Sequence, residues 1–138
     1  MCLAAAAASF SASAAGFVAS SHAALVHDCL TVLYSGDAAR LDAVLADHFQ
    51  VALGSGHGFV KSEALDVMPV VTGEPVISGL VATESGDLLV VRYHVEVSQK
   101  IEGLEQTRLA PRLTVFEKHA DGWYVTAHAS FAAPSDGK

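Results

Sequence analysis

The spacing of apolar positions changes period along this chain. From Phe17 to Tyr34, Val18, Leu25, Val26, Cys29, Leu30 and Leu33 recur at helical spacing and predict one amphipathic helix. Ser35-Gly36 ends it, and Asp37 reads as the N-cap of a second helix from Ala38 to about His48, with Leu41, Val44 and Leu45 as its buried stripe. Gln50 to Leu53 predicts a short strand, Gly54-Ser55-Gly56-His57-Gly58 a hairpin loop, and Ser62 to Met68 a short helix stopped by Pro69. Beyond Glu74 the period shortens to two. Strands are predicted over Val76–Glu84, Leu88–Ser98, about Glu105–Lys118 and Trp123–Phe131, separated by Ser85-Gly86-Asp87, Glu102-Gly103 and Ala120-Asp121-Gly122. The order is helix, helix, short strand, helix, then an antiparallel meander, which is an α+β arrangement with helices on one sheet face.

Side chains alternate faces along a strand, so parity sorts the last three strands. Arg92, His94 and Glu96 oppose Val91, Tyr93, Val95 and Val97; Arg112 and Thr114 oppose Leu109, Leu113 and Val115; Thr126, His128 and Ser130 oppose Trp123, Val125, Ala127, Ala129 and Phe131. If the strands pair in phase, one face gathers two arginines, two histidines and several hydroxyls. That face is a polar cavity, a solvated surface or a subunit contact.

Composition narrows the partners. At 138 residues, 51% hydrophobic and 17% charged, the chain suits one domain able to fold without metal or disulfide staples. A net charge of −7 with eight scattered basic residues argues against nucleic acid. Cys2 and Cys29 form no metal-ligand spacing, and a buried free thiol at Cys29 points to a reducing, cytoplasmic setting. Residues 1–16 read as an Ala-rich extension, 17–133 as the domain and 134–138 as a tail. Ala12-Ser13-Ala14 resembles a cleavage site, which keeps export as the alternative, but no lysine or arginine precedes Arg40 and the apolar run is too short for a bilayer.

Tyr34-Ser35-Gly36-Asp37, with Leu41, Leu45 and Phe49 downstream, resembles the helical opening of nuclear transport factor 2-like proteins. Arg112-Leu113-Thr114-Val115-Phe116, Asp121-Gly122-Trp123 and Ala127-His128-Ala129-Ser130 are similar to the final hairpin of their SnoaL-like members, so the likeness spans roughly His22 to Ala133. It implies a cone: a curved antiparallel or mixed sheet, of the cystatin-like roll type, wrapped over the N-terminal helices around a pocket, in a chain that forms homodimers. Known members include ketosteroid isomerases, polyketide cyclases, dehydratases and kinase association domains. In the association domains, pocket arginines lie on the last two long strands; the matching positions here are Thr114 and Ser130. The tyrosine-and-two-acids set of the ketosteroid isomerases has no match.

Within that frame His94 and His128 are the candidates for acid/base work, because an imidazole exchanges protons near neutral pH. Arg92 and Arg112 would bind a carboxylate or an enolate-like charge, with Thr114, Ser130 and Tyr34 lining the pocket. The structural alternatives are a polar histidine cluster, arginines paired with Glu96 or Glu117, and a tyrosine filling the cone's rim. No helix carries the HxxxH or HExxH spacing of a metal site, and neither a P-loop nor a nucleophile elbow is present. The expected function is therefore a small-molecule pocket for an organic ligand with a carbonyl or carboxylate, needing no cofactor, metal or membrane, and supporting isomerisation, dehydration or cyclisation if it is catalytic. The alternative is a non-catalytic dimerisation or ligand-sensing module.

Overall fold

The computed structural model describes residues 16–133, so the expected extension before Gly16 and the tail from Pro134 lie outside the described residues. The elements run α1 (His22–Leu33), α2 (Ala38–Val44), β1 (Leu45–Ala52), β2 (Gly58–Val60), α3 (Lys61–Val67), β3 (Ile77–Ser85), β4 (Leu88–Ile101), β5 (Leu104–His119) and β6 (Gly122–Ser130). One six-stranded sheet has the order β2-β1-β6-β5-β4-β3. Every pairing is antiparallel except β1 with β6, so the sheet is mixed.

Two boundaries differ from the sequence expectation. The first helix starts at His22 because Ser21 caps it, its side chain accepting from the Ala24 N–H. Phe17 instead bridges Trp123, each backbone N–H donating to the other's carbonyl at 2.8 and 2.9 Å. The second helix ends at Val44. Leu45, Phe49 and Val51 keep one apolar side, but pairing with β6 turns the segment into a strand. Helical and strand spacing overlap over so short a run, and the partner strand decides.

The core forms where α1 lies on the inner sheet face. Leu25, Val26, Cys29, Leu30 and Leu33 of α1 meet Leu89, Val91 and Tyr93 of β4, Phe116 of β5 and Val125 of β6, all buried. Burying a large apolar side chain contributes about 1.5–3 kcal/mol, so this layer dominates the stability. Gly36 turns α1 into α2 at φ +77°, and a Cβ there would meet Val70 at 2.8 Å, so only glycine fits.

Register sets which polar residues join the core face. Directly paired residues share a face. Val91 pairs with Thr114, Tyr93 with Arg112, Thr114 with His128, and Arg112 with Ser130. A bulge then inserts Thr126, so Phe116 pairs with Val125 while Val115 pairs with Ala127. The extra residue lets both Val125 and His128 point inward, although their parity in the sequence opposes them.

Candidate functional site

Five side chains form a continuous polar chain across the inner face. The Tyr93 hydroxyl lies 2.9 Å from Thr114 Oγ1, which lies 2.9 Å from His128 Nδ1. On the other side of the ring, His128 Nε2 lies 3.2 Å from the Tyr34 hydroxyl and 3.5 Å from Ser130 Oγ. Tyr34 and Ser130 are themselves 3.2 Å apart. Thr114 is fully buried and His128 is 2% exposed. Burial, with a smaller contribution from the Arg112 charge, lowers the His128 pKa from 6.5 to about 3, so this imidazole is neutral at physiological pH. Burial likewise raises the Tyr93 phenol and the Cys29 thiol, which keeps both protonated.

Tyr34 and Ser130 carry this chain to the wall of a cavity of about 730 Å³. Its apolar lining comes from Leu30, Leu53, Val71, Val95 and Val97; Arg112 joins the two hydroxyls on the polar side, and Glu74 and Glu96 also line it. The guanidinium donates to two backbone carbonyls, Pro111 O at 2.9 Å and Phe131 O at 3.1 Å. No ion pair to Arg112 is present among the described residues. Both bonds come from Nη1, which leaves the Nε and Nη2 hydrogens for an anion. One rim of the cavity is the segment 69–76, held by the Val71 N–H to Tyr34 carbonyl bond (2.9 Å), the Glu96 N–H to Val76 carbonyl bond (3.0 Å) and a His27–Glu74 pair at 2.6 Å. That pair raises the His27 pKa, with Glu74 the largest cause.

The expectation that both histidines and both arginines converge is corrected here. Tyr34, Arg112, Thr114, His128 and Ser130 come together, but Arg92 and His94 lie on the opposite face. Arg92 pairs with Leu113 and Val81, and His94 with Pro111 and Ser78, one residue out of phase with the inner set. A one-residue offset transfers a side chain to the other face. His94 instead sits against the β3 bulge, where Gly79 at φ +62° leaves room: a Cβ there would lie 3.0 Å from His94 Nδ1. Glu117 pairs with His119 and His48, which lower its pKa, and with no arginine among the described residues.

The residue-level reading missed Tyr93, which it placed on a purely aliphatic face. The pairing Tyr93–Arg112 is what reveals its role, and pairing is not readable from one strand. It also missed the rim, for which the Pro69…Gly73…Pro75 punctuation was the available signal. No group of three or more His, Cys, Asp or Glu able to hold a metal occurs among the described residues. No described helix is long and apolar enough to cross a membrane.

The wider comparisons agree on architecture. No family model matches the chain, and no curated protein matches it. Solved structures do. An NTF2-like protein from Cytophaga hutchinsonii is 18% identical with a TM-score of 0.59, over 81% of this chain and 98% of its own. A putative calcium/calmodulin-dependent kinase II association domain from Exiguobacterium sibiricum is 16% identical with a TM-score of 0.61, over 87% and 100%. An NTF2-like protein with a cystatin-like fold from Novosphingobium aromaticivorans is 16% identical with a TM-score of 0.58, over 82% and 81%. Identities this low speak to fold. The chain has the α+β NTF2-like, cystatin-like fold.

Proposed function

We propose that this chain binds a small, largely apolar organic molecule bearing a carboxylate or carbonyl in the cavity beside Tyr34, Arg112 and Ser130. The observation that carries this reading is Arg112: a half-buried guanidinium held by backbone carbonyls, without an ion-pair partner among the described residues, on the wall of a cavity that has an apolar side of Leu30, Leu53, Val71, Val95 and Val97 and holds Glu74 and Glu96 elsewhere in its lining. A carboxylate would complete its charge, and the two hydroxyls would fix the orientation. His128 supports binding better than proton shuttling, because an imidazole with a pKa of about 3 is a weak base at neutral pH. The NTF2-like fold fits this use of a cone interior; the SnoaL-like branch and its cyclase or isomerase chemistry remain finer readings of the same cavity. The test is calorimetric titration with cyclohexanecarboxylate and related acids. Arg112→Met should weaken binding about 10–100-fold, the value of a charge-assisted hydrogen-bonded pair. Equal affinity in wild type and variant would refute the reading.

A second reading rests on the outer sheet face. Val81, Val90, Leu113, Val115, Ala127 and Ala129 lie side by side there, and Val81 and Val90 are exposed. This apolar face fits self-association, and the likeness to kinase association domains supports it. Light scattering on wild type and Val115→Glu would decide: a monomer in both would dismiss it.

A further inference from the structure

We infer that Tyr93 and Thr114 act as positioning residues that lock His128 in its Nε2–H tautomer, so that the Tyr34–Ser130 pair faces the cavity with a hydroxyl hydrogen to donate. This rests on the reading of the cavity as a binding site and extends it: the bound atom is a hydrogen-bond acceptor, such as a ketone or carboxylate oxygen, and not a group with donors alone, such as an ammonium.

The argument is a count of hydrogens. The Tyr93 hydroxyl is buried, stays protonated, and has Thr114 Oγ1 as its hydrogen-bond partner among the described residues. If Thr114 donated to Tyr93, the phenol hydrogen would be left buried without an acceptor, the costlier arrangement. Tyr93 therefore donates to Thr114. Thr114 has one hydrogen of its own, which it donates to His128 Nδ1 at 2.9 Å. That nitrogen is then the acceptor, and the neutral ring carries its proton on Nε2.

The consequence falls on the cavity wall. Tyr34 and Ser130 hold two hydroxyl hydrogens between them. With Nε2–H donating to Tyr34, one of those hydrogens closes the 3.2 Å Tyr34–Ser130 bond and the other is left over. Both residues line the cavity, so the spare hydrogen is available to a ligand. In the other tautomer Nε2 accepts one hydroxyl hydrogen, the Tyr34–Ser130 bond uses the second, and only lone pairs meet the cavity. A buried tyrosine with no access to the ligand thus decides whether the site gives or takes a hydrogen bond. The Arg112 donors on the same wall act in the same sense.

The tautomer is directly readable. In the intact chain, with histidine labelled by nitrogen-15, a long-range proton–nitrogen correlation spectrum near pH 7 should show His128 Nδ1 as the downfield, pyridine-type nitrogen and Nε2 as the upfield, pyrrole-type one. Tyr93→Phe removes the obligatory donor and leaves Thr114 free to give or accept, so the two nitrogen shifts should move toward a common value. Thr114→Ser, with Tyr93 intact, keeps the bridging hydroxyl and should retain the wild-type pattern. The neutral ketone cyclohexanone should bind wild type several-fold more tightly than Tyr93→Phe, though the variant touches no ligand. A wild-type spectrum with the proton on Nδ1 overturns the inference outright, whether or not any variant folds. So does an unchanged pattern in folded Tyr93→Phe. If cyclohexanone and cyclohexanecarboxylate both fail to bind while His128 is Nε2–H and responds to Tyr93→Phe, the relay stands and the cavity reading falls.

Discussion

The two faces of the β4–β5–β6 sheet hold similar residue types and treat them in opposite ways. On the inner face His128 is buried, neutral and bonded through both nitrogens, and Arg112 borders a cavity. On the outer face His94 rests half-buried against a bulge and Arg92 is exposed. Residue type did not separate them. The phase between neighbouring strands did, and with it the low-dielectric surroundings that change the chemistry of an imidazole.

The largest expected contrast is in stability. His128→Ala should destabilise the fold by about 2–4 kcal/mol, since it leaves a cavity and strips Thr114 of its acceptor. His94→Ala should cost less than about 1 kcal/mol, as a half-buried residue outside the hydrogen-bonded core does. Urea unfolding of the two variants measures both, and equal losses would erase the distinction between the faces.

Proton uptake sharpens the same contrast. The unfolded His128 takes up a proton below 6.5, while the folded one resists until about 3. Between those values the unfolded state binds more protons, so stability falls as pH falls, by up to about 1.4 kcal/mol per pH unit. In His128→Gln this contribution should vanish, leaving the contributions of the other shifted groups, such as Glu117 and His27. Unfolding midpoints from pH 7 to 4 for wild type and variant give the difference; parallel curves would mean that His128 is not buried neutral.

A smaller effect lies at the rim. The His27 pKa is raised chiefly by its hydrogen bond to Glu74. Glu74→Gln should lower the His27 pKa in an NMR titration with no measurable change in unfolding midpoint, because the pair is solvent-exposed. No movement of the His27 titration would show that this contact does not hold the segment 69–76.

Much of the architecture was legible because it is local. Glycine-marked turns, the cap at Asp37 and the alternation within each strand all depend on neighbours in the chain. The first helix begins five residues later than its apolar pattern predicts, because Phe17 and Val18 extend that pattern while Ser21 holds the cap. The segment from Leu45 reads as helix in the sequence because Leu41, Val44 and Leu45 share one helical stripe, and the parallel partner β6 overrides it. The proximity of Arg112, Thr114, His128, Ser130 and Tyr34 was legible. The exclusion of Arg92 and His94, the inclusion of Tyr93 and the Thr126 bulge were not, since each depends on a register between strands far apart in sequence.

The central claim is that the ligand-facing chemistry lies on the inner face alone. Titrating cyclohexanecarboxylate into the nitrogen-15-labelled chain tests it most directly. Backbone amide shifts should move at Tyr34, Val71, Arg112 and Ser130 and stay fixed at Arg92 and His94. Movement centred on Arg92 and His94, with the inner set silent at saturating acid, would contradict the account.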